Sequence, residues 1–297
     1  MWISDERAHR VLYTIYSTCC VAASDVSYFI FMKETSLFTL VGLGSIAVFY
    51  YLTTNGLLAP VPSLGFILGV SAILQAWVAV RLTQAWGLLG PNERATNPLL
   101  NQMRWLFVIG AGFLAYDIVP HVILIMNSVD IHTITIVHWT GHLILFVYLI
   151  LAARLAVSFF NPPWKNRATI FVTLIGLAAL AVSAAKPDFL VEIPGSAYPF
   201  LASDRLYAFF NMMLNVASAG IFGAYLVIAG LLMARSANLV RSLLLGLGLL
   251  SLVAGGFLIQ YSHSQYTALM IDASFTGWSL LTGLSALYGA TWRGSRV

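Results

Sequence analysis

RWLFVIGAGFLAYDIVPHVILIM (104–126), NSVDI (127–131) and HTITIVHWTGHLILFVYLILAARLAVSFF (132–160) follow one another without a break. Each long piece exceeds the roughly 20 apolar residues that an α-helix needs to cross a bilayer's hydrocarbon core. So short a link forces two such helices to run antiparallel as neighbours. The same pattern recurs outward in both directions, and it predicts helices near 11–32, 37–58, 64–86, 104–126, 133–157, 168–185, 206–234, 238–261 and 266–291. The sequence therefore reads as all-α, a polytopic integral membrane bundle of about nine transmembrane helices forming one domain over residues 1–297.

Composition agrees. Of 297 residues, 60% are hydrophobic and 9% charged, against about 25% charged in an ordinary soluble domain. A soluble fold of this length has no means of hiding so much apolar surface. The lipid bilayer is the expected partner. The net charge of +4 is spread thinly with no basic run, which speaks against a nucleic-acid partner. Cys19 and Cys20 are adjacent, a spacing that suits neither a disulfide framework nor a zinc ribbon. The opening MWISDERAHR and the acid Asp25 do not suit a cleavable signal peptide, so the first apolar segment is expected to remain.

Prolines and glycines punctuate the chain where the parse needs them: Pro60 and Pro62, GPNERATNP (90–98), NPPWKNR (161–167), and the connector from Lys186 to Arg205. That connector carries apolar residues (PDFLVEIP) and is expected to lie at the membrane surface. Lys and Arg set orientation. Arg7, Arg10, Lys186 and Arg205 fall on one side, and the other eleven basic residues on the opposite one. The N-terminus is expected outside and the C-terminus in the cytoplasm. All six histidines, with His9, His132 and His263 in outer loops or tail, then sit toward the outer face.

The hairpin concentrates chemistry. Asp117 and His121 are four residues apart on one helix, and His138 and His142 four apart on the next, so each pair shares a helix face. Counting back from the turn puts His121 level with His138 and Asp117 level with His142. Three imidazoles and a carboxylate suit copper, iron or zinc, and helix bundles build metal sites from such i, i+4 pairs. Haem b is the rival cofactor, with one ligand from this hairpin. Pro120 frees a backbone carbonyl beside His121. Asp272, His263 and His132 are candidates for outer-shell partners or a proton path. Asp25 is the candidate for the inner half of that path.

Two local resemblances follow. Asp117-Ile-Val-Pro-His121 is similar to the Asp-x-x-x-His run of the membrane copper site in particulate methane and ammonia monooxygenases, where another histidine follows thirteen residues later. Here the next histidines, His132 and His138, stand eleven and seventeen residues on. The run from Ile271 to Thr276 resembles the last helix of microbial rhodopsins, with Thr276 in place of the lysine that would bind retinal. No Gly-x-Ser-x-Gly elbow, His-Glu-x-x-His pair or Walker loop is present. These residues lead to the expectation of a metal- or haem-binding membrane subunit of a redox enzyme, working with partner subunits in a bacterial or archaeal cytoplasmic membrane. The alternatives are a proton-coupled transporter or channel using the same His and Asp residues, and a structural subunit of a larger complex.

Overall fold

In the computed structural model the described residues are 25–56, 60–96, 98–126, 131–160, 162–186, 189–191, 200–232, 237–261 and 265–291. They form α1 (Asp25–Thr54), α2 (Pro60–Leu88), a short α3 (Pro91–Thr96), α4 (Pro98–Met126), α5 (Ile131–Phe160) and α6 (Lys165–Ala185). A β-hairpin follows, β1 (Phe189–Val191) pairing antiparallel with β2 (Phe200–Ala202). Then come α7 (Arg205–Asn215), a π-helical turn (Val216–Gly220), α8 (Ile221–Leu232), α9 (Ala237–Tyr261) and α10 (Gln265–Thr291). Seven spans among the described residues are long and apolar enough to cross a membrane, so the chain is a helical membrane bundle.

One sequence expectation is corrected. A turn was expected at 33–36 between two separate spans, yet α1 runs helical through Lys33, Glu34, Thr35 and Ser36. None of the four is a helix breaker, and Glu34 accepts from the Trp77 indole at 2.7 Å and from the Arg81 guanidinium on α2. Asp25 therefore opens α1 eight residues before the apolar span begins at Lys33, and its side chain lies outside those described. The rest of the expected first helix, with His9, Cys19 and Cys20, lies outside the described residues. The connector after α6, expected at the membrane surface, contains the β-hairpin, with Phe189 and Leu190 half exposed.

Five of these spans and α10 meet side by side in a closed ring: α2 against α4, α4 against α5, α5 against the π turn, α8 against α9, α9 against α10, and α10 back against α2. α1 covers α10 and α2 from outside, and α6 covers α5 and α7. This explains the composition of α10. It is not among the seven apolar spans, and it buries Asp272, Thr276, Ser279, Thr282 and Ser285 beside Ile271, Phe275 and Trp278. With α1 over it, α10 needs no lipid-facing apolar surface. Its hydroxyls bond locally, Thr276 Oγ1 to Asp272 Oδ1 at 2.9 Å and Thr282 Oγ1 to the Trp278 carbonyl at 2.7 Å. Such groups must be satisfied internally in a membrane.

Small residues set the closest approaches, as expected where helices associate without a hydrophobic driving force. A Cβ on Gly246 of α9 would stand 2.7 Å from the Gly223 carbonyl of α8, and one on Gly248 would stand 3.0 Å from the Thr282 nitrogen of α10. Gly56, at φ 66°, follows α1 in the left-handed region that terminates helices.

Candidate functional site

α5 presents His138 and His142 on one face, and their ring centroids stand 4.1 Å apart. His142 is also stacked on Tyr207 of α7 at 4.5 Å and 24°, and Phe146 lies one turn further along at 6.5 Å. His142 and Tyr207 are buried, at 6% and 0% exposure. Tyr207 is placed by the start of α7, where the Asp204 carboxylate caps the helix by accepting from the Leu206 N–H at 2.9 Å. That bond, with Lys186 nearby, holds the Asp204 carboxyl below its ordinary range.

The buried Nδ1 of His142 has no hydrogen-bond partner among the described residues. An imidazole nitrogen in that condition costs free energy unless something outside the chain takes it up. Gly141, also buried, lets α4 approach: a Cβ there would lie 3.6 Å from Asp117 Oδ1 and 3.6 Å from the Tyr116 ring. Asp117 is thus level with the His142 turn of α5.

The candidates do not all meet. His121 lies on α4, and its side chain is outside those described; His263 is likewise outside. His132 is exposed at the start of α5. Asp272 is buried on α10 with Thr276 as its hydrogen-bond partner, and α10 packs chiefly on α9, α2 and α1. Among the described residues no group of three or more His, Cys, Asp and Glu side chains is close enough to hold a metal. The close pair is His138 and His142.

Sequence reading missed Tyr207 and Phe146, which fix the plane of His142. The Asp204-to-Leu206 cap marked the helix start beneath Tyr207, but no spacing rule links 142 to 207. It also assigned no role to the π turn after Asn215, whose amide donates to Asn211 O at 2.9 Å. π turns recur at functional sites, and this one is where α5 meets the ring.

Fold and site together define a polytopic helical membrane protein with a buried histidine–aromatic cluster. No known family, characterised protein or solved structure matches the chain.

Proposed function

We propose that this chain is a membrane subunit of a redox enzyme that binds a transition metal, copper, iron or zinc, or haem b, through His138 and His142. The observation that carries the reading is the unpartnered, buried Nδ1 of His142 beside a second imidazole. Two nitrogens of an i, i+4 pair suit metal–nitrogen distances of about 2.0–2.1 Å. Asp117 and His121 on α4 complete or orient the set, Asp117 from its place against Gly141. The aromatic clamp of Tyr207 and Phe146 restricts the His142 ring, a preorganisation that favours ligation.

The site lies in the half of the bundle away from Arg81, Arg94 and Arg104. By the positive-inside rule the arginine-rich end is cytoplasmic, so electrons are exchanged near the outer face with partner subunits. The C-terminus, with Arg293 and Arg296, then lies on the cytoplasmic side.

The test is metal analysis and an optical spectrum of the detergent-purified protein. Bound metal or haem is expected. His138→Ala, His142→Ala and His142→Phe should each lower occupancy while the protein stays folded, the last also keeping the ring stack. Full occupancy in folded His138→Ala and His142→Ala variants would place the site elsewhere.

A second reading has its own support: buried polar pairs, Asp272 with Thr276 and Gln75 with Ser279, lie inside the bundle. It makes the chain a proton-coupled transporter. A metal-free preparation whose flux in proteoliposomes depends on His142 favours it.

A further inference from the structure

The ring of six helices is not filled at its centre. A partly enclosed cavity of about 40 Å³ lies inside it, and every helix of the ring contributes a wall, among them Gln75, Phe107, Tyr148, Phe222, Leu249 and Trp278. Protein interiors leave few voids larger than a water molecule, because lining atoms without neighbours forfeit dispersion contacts. This void holds about three water-sized spheres. On α5 it reaches Tyr148, six residues from His142 and about 9 Å along the helix axis. It is therefore separate from the imidazole pair.

The walls say what would fit. They are predominantly apolar, and among the described residues no charged side chain lines them, so a neutral occupant suits them. The acceptors lie together on α2 and α10, while the Tyr148 hydroxyl on α5 is in hydrogen-bond contact with Trp278. Gln75, 1% exposed, donates its amide N–H to Ser279 Oγ at 3.3 Å, which leaves its carbonyl oxygen as an acceptor. Thr282 has spent its hydroxyl hydrogen on the Trp278 carbonyl, leaving its oxygen to accept. Gly110 supports this edge from behind: a Cβ there would stand 3.2 Å from Tyr148 Cε2 and 3.4 Å from Gln75 Oε1.

We propose that this cavity is a binding site for a small neutral molecule with an apolar body and one O–H donor, of the short-chain alcohol class. Its body fills the space between α5, α8 and α9. Its hydroxyl donates to Gln75 or Thr282. Water is a poorer match to these walls, most of which are apolar and give it no hydrogen-bond partner.

Trp278 in the wall supplies the readout, with 2-bromoethanol as probe, its bromine quenching indole emission. In detergent-purified wild type, quenching should contain a saturable component above the linear background from the other tryptophans. Gln75→Leu should weaken that component for 2-bromoethanol and leave it unchanged for bromoethane, which lacks the hydroxyl. Ala152→Leu, which puts three carbons into the space while keeping Trp278, should abolish it. Should Ala152→Leu not fold, Met103→Phe fills the same space from α4. Purely linear quenching in the wild type, or a saturable component surviving a folded cavity-filled variant, would overturn the proposal.

Discussion

The seam between α8, α9 and α10 and the junction between α5 and α7 hold the same bundle together in opposite ways. At the seam, glycines bring backbone against backbone: Gly223 and Gly246 meet each other, and Gly248 meets the Thr282 nitrogen. Ser242 adds a hydroxyl bond to the Leu226 carbonyl at 2.8 Å, and Ser285 one to the Arg241 carbonyl at 2.9 Å. At the junction, large rings meet, with His142 against both His138 and Tyr207. At its glycine contacts the seam packs backbone on backbone, and its Ser242 and Ser285 hydroxyls are spent on carbonyls. The junction carries an unsatisfied nitrogen in a rigid frame, and the contrast separates a structural contact from a candidate site.

The sharpest way to break the comparison is at Gly246. Alanine there sets a methyl group 2.7 Å from a carbonyl oxygen and 2.8 Å from Val227 Cγ2. Backbone cannot yield as a side-chain tip does, so Gly246→Ala should cost about 2–3 kcal/mol, and Gly246→Leu should yield no monodisperse protein. Thermal unfolding in detergent checks the first and size-exclusion chromatography the second. Tyr207→Leu should cost less, about 1–2 kcal/mol, from lost area and stacking. Unlike the glycine variant, it should also lower metal or haem occupancy, since His142 loses its clamp. If the folded Tyr207→Leu protein keeps full occupancy, the ring stack is packing and nothing more.

Glu34 sharpens the comparison at a third contact, between α1 and α2. It is 11% exposed and pairs with Arg81, which is 42% exposed. Glu34→Gln should lower stability by at most about 1 kcal/mol, because the solvated guanidinium is well screened. The readout is again thermal unfolding. A loss comparable to Gly246→Ala would mean that α1 is held by this pair and not by apolar contact with α10.

The lipid-facing helices were legible in the sequence because apolar length is the signal a membrane demands. Pro60 and Pro62 fell in the first turn of α2, where a missing N–H costs nothing. What escaped follows from tertiary contact. The run Lys33 to Ser36 looked like a break because charge within an apolar stretch usually ends a span. Arg81 and Trp77, over forty residues away, supply the partners that let α1 continue. The four-residue spacing placed His138 and His142 on one face, but it could not show Tyr207 between α5 and α7. Asp272 read as an isolated acid in α10 and a possible member of the site. Its partner is Thr276, one turn away on the same helix, and a local bond of that kind leaves no long-range trace. The cavity is invisible to any one segment, since each of six helices contributes only a fragment of its wall.

Asp204 gives the smallest expected effect and the one with a definite sign. Its carboxylate accepts from the Leu206 N–H and pairs with Lys186 at 3.4 Å. Both interactions favour the ionised form, the backbone bond foremost, so its pKa lies lower in the folded protein than in the unfolded chain. A depressed carboxyl contributes stability that is present above the unfolded value, about 3.9, and is lost as pH falls through the folded one. Amide exchange in the first turn of α7 should therefore quicken relative to the rest of the bundle as pH drops below about 4. Asp204→Asn keeps a good capping side chain and removes the titrating charge, so it should flatten that dependence while leaving Tyr207 on His142. If the first turn loosens equally in both proteins, the cap at α7 is held by the β-hairpin and by burial of Tyr207, and the charge of Asp204 has no part in positioning the ring.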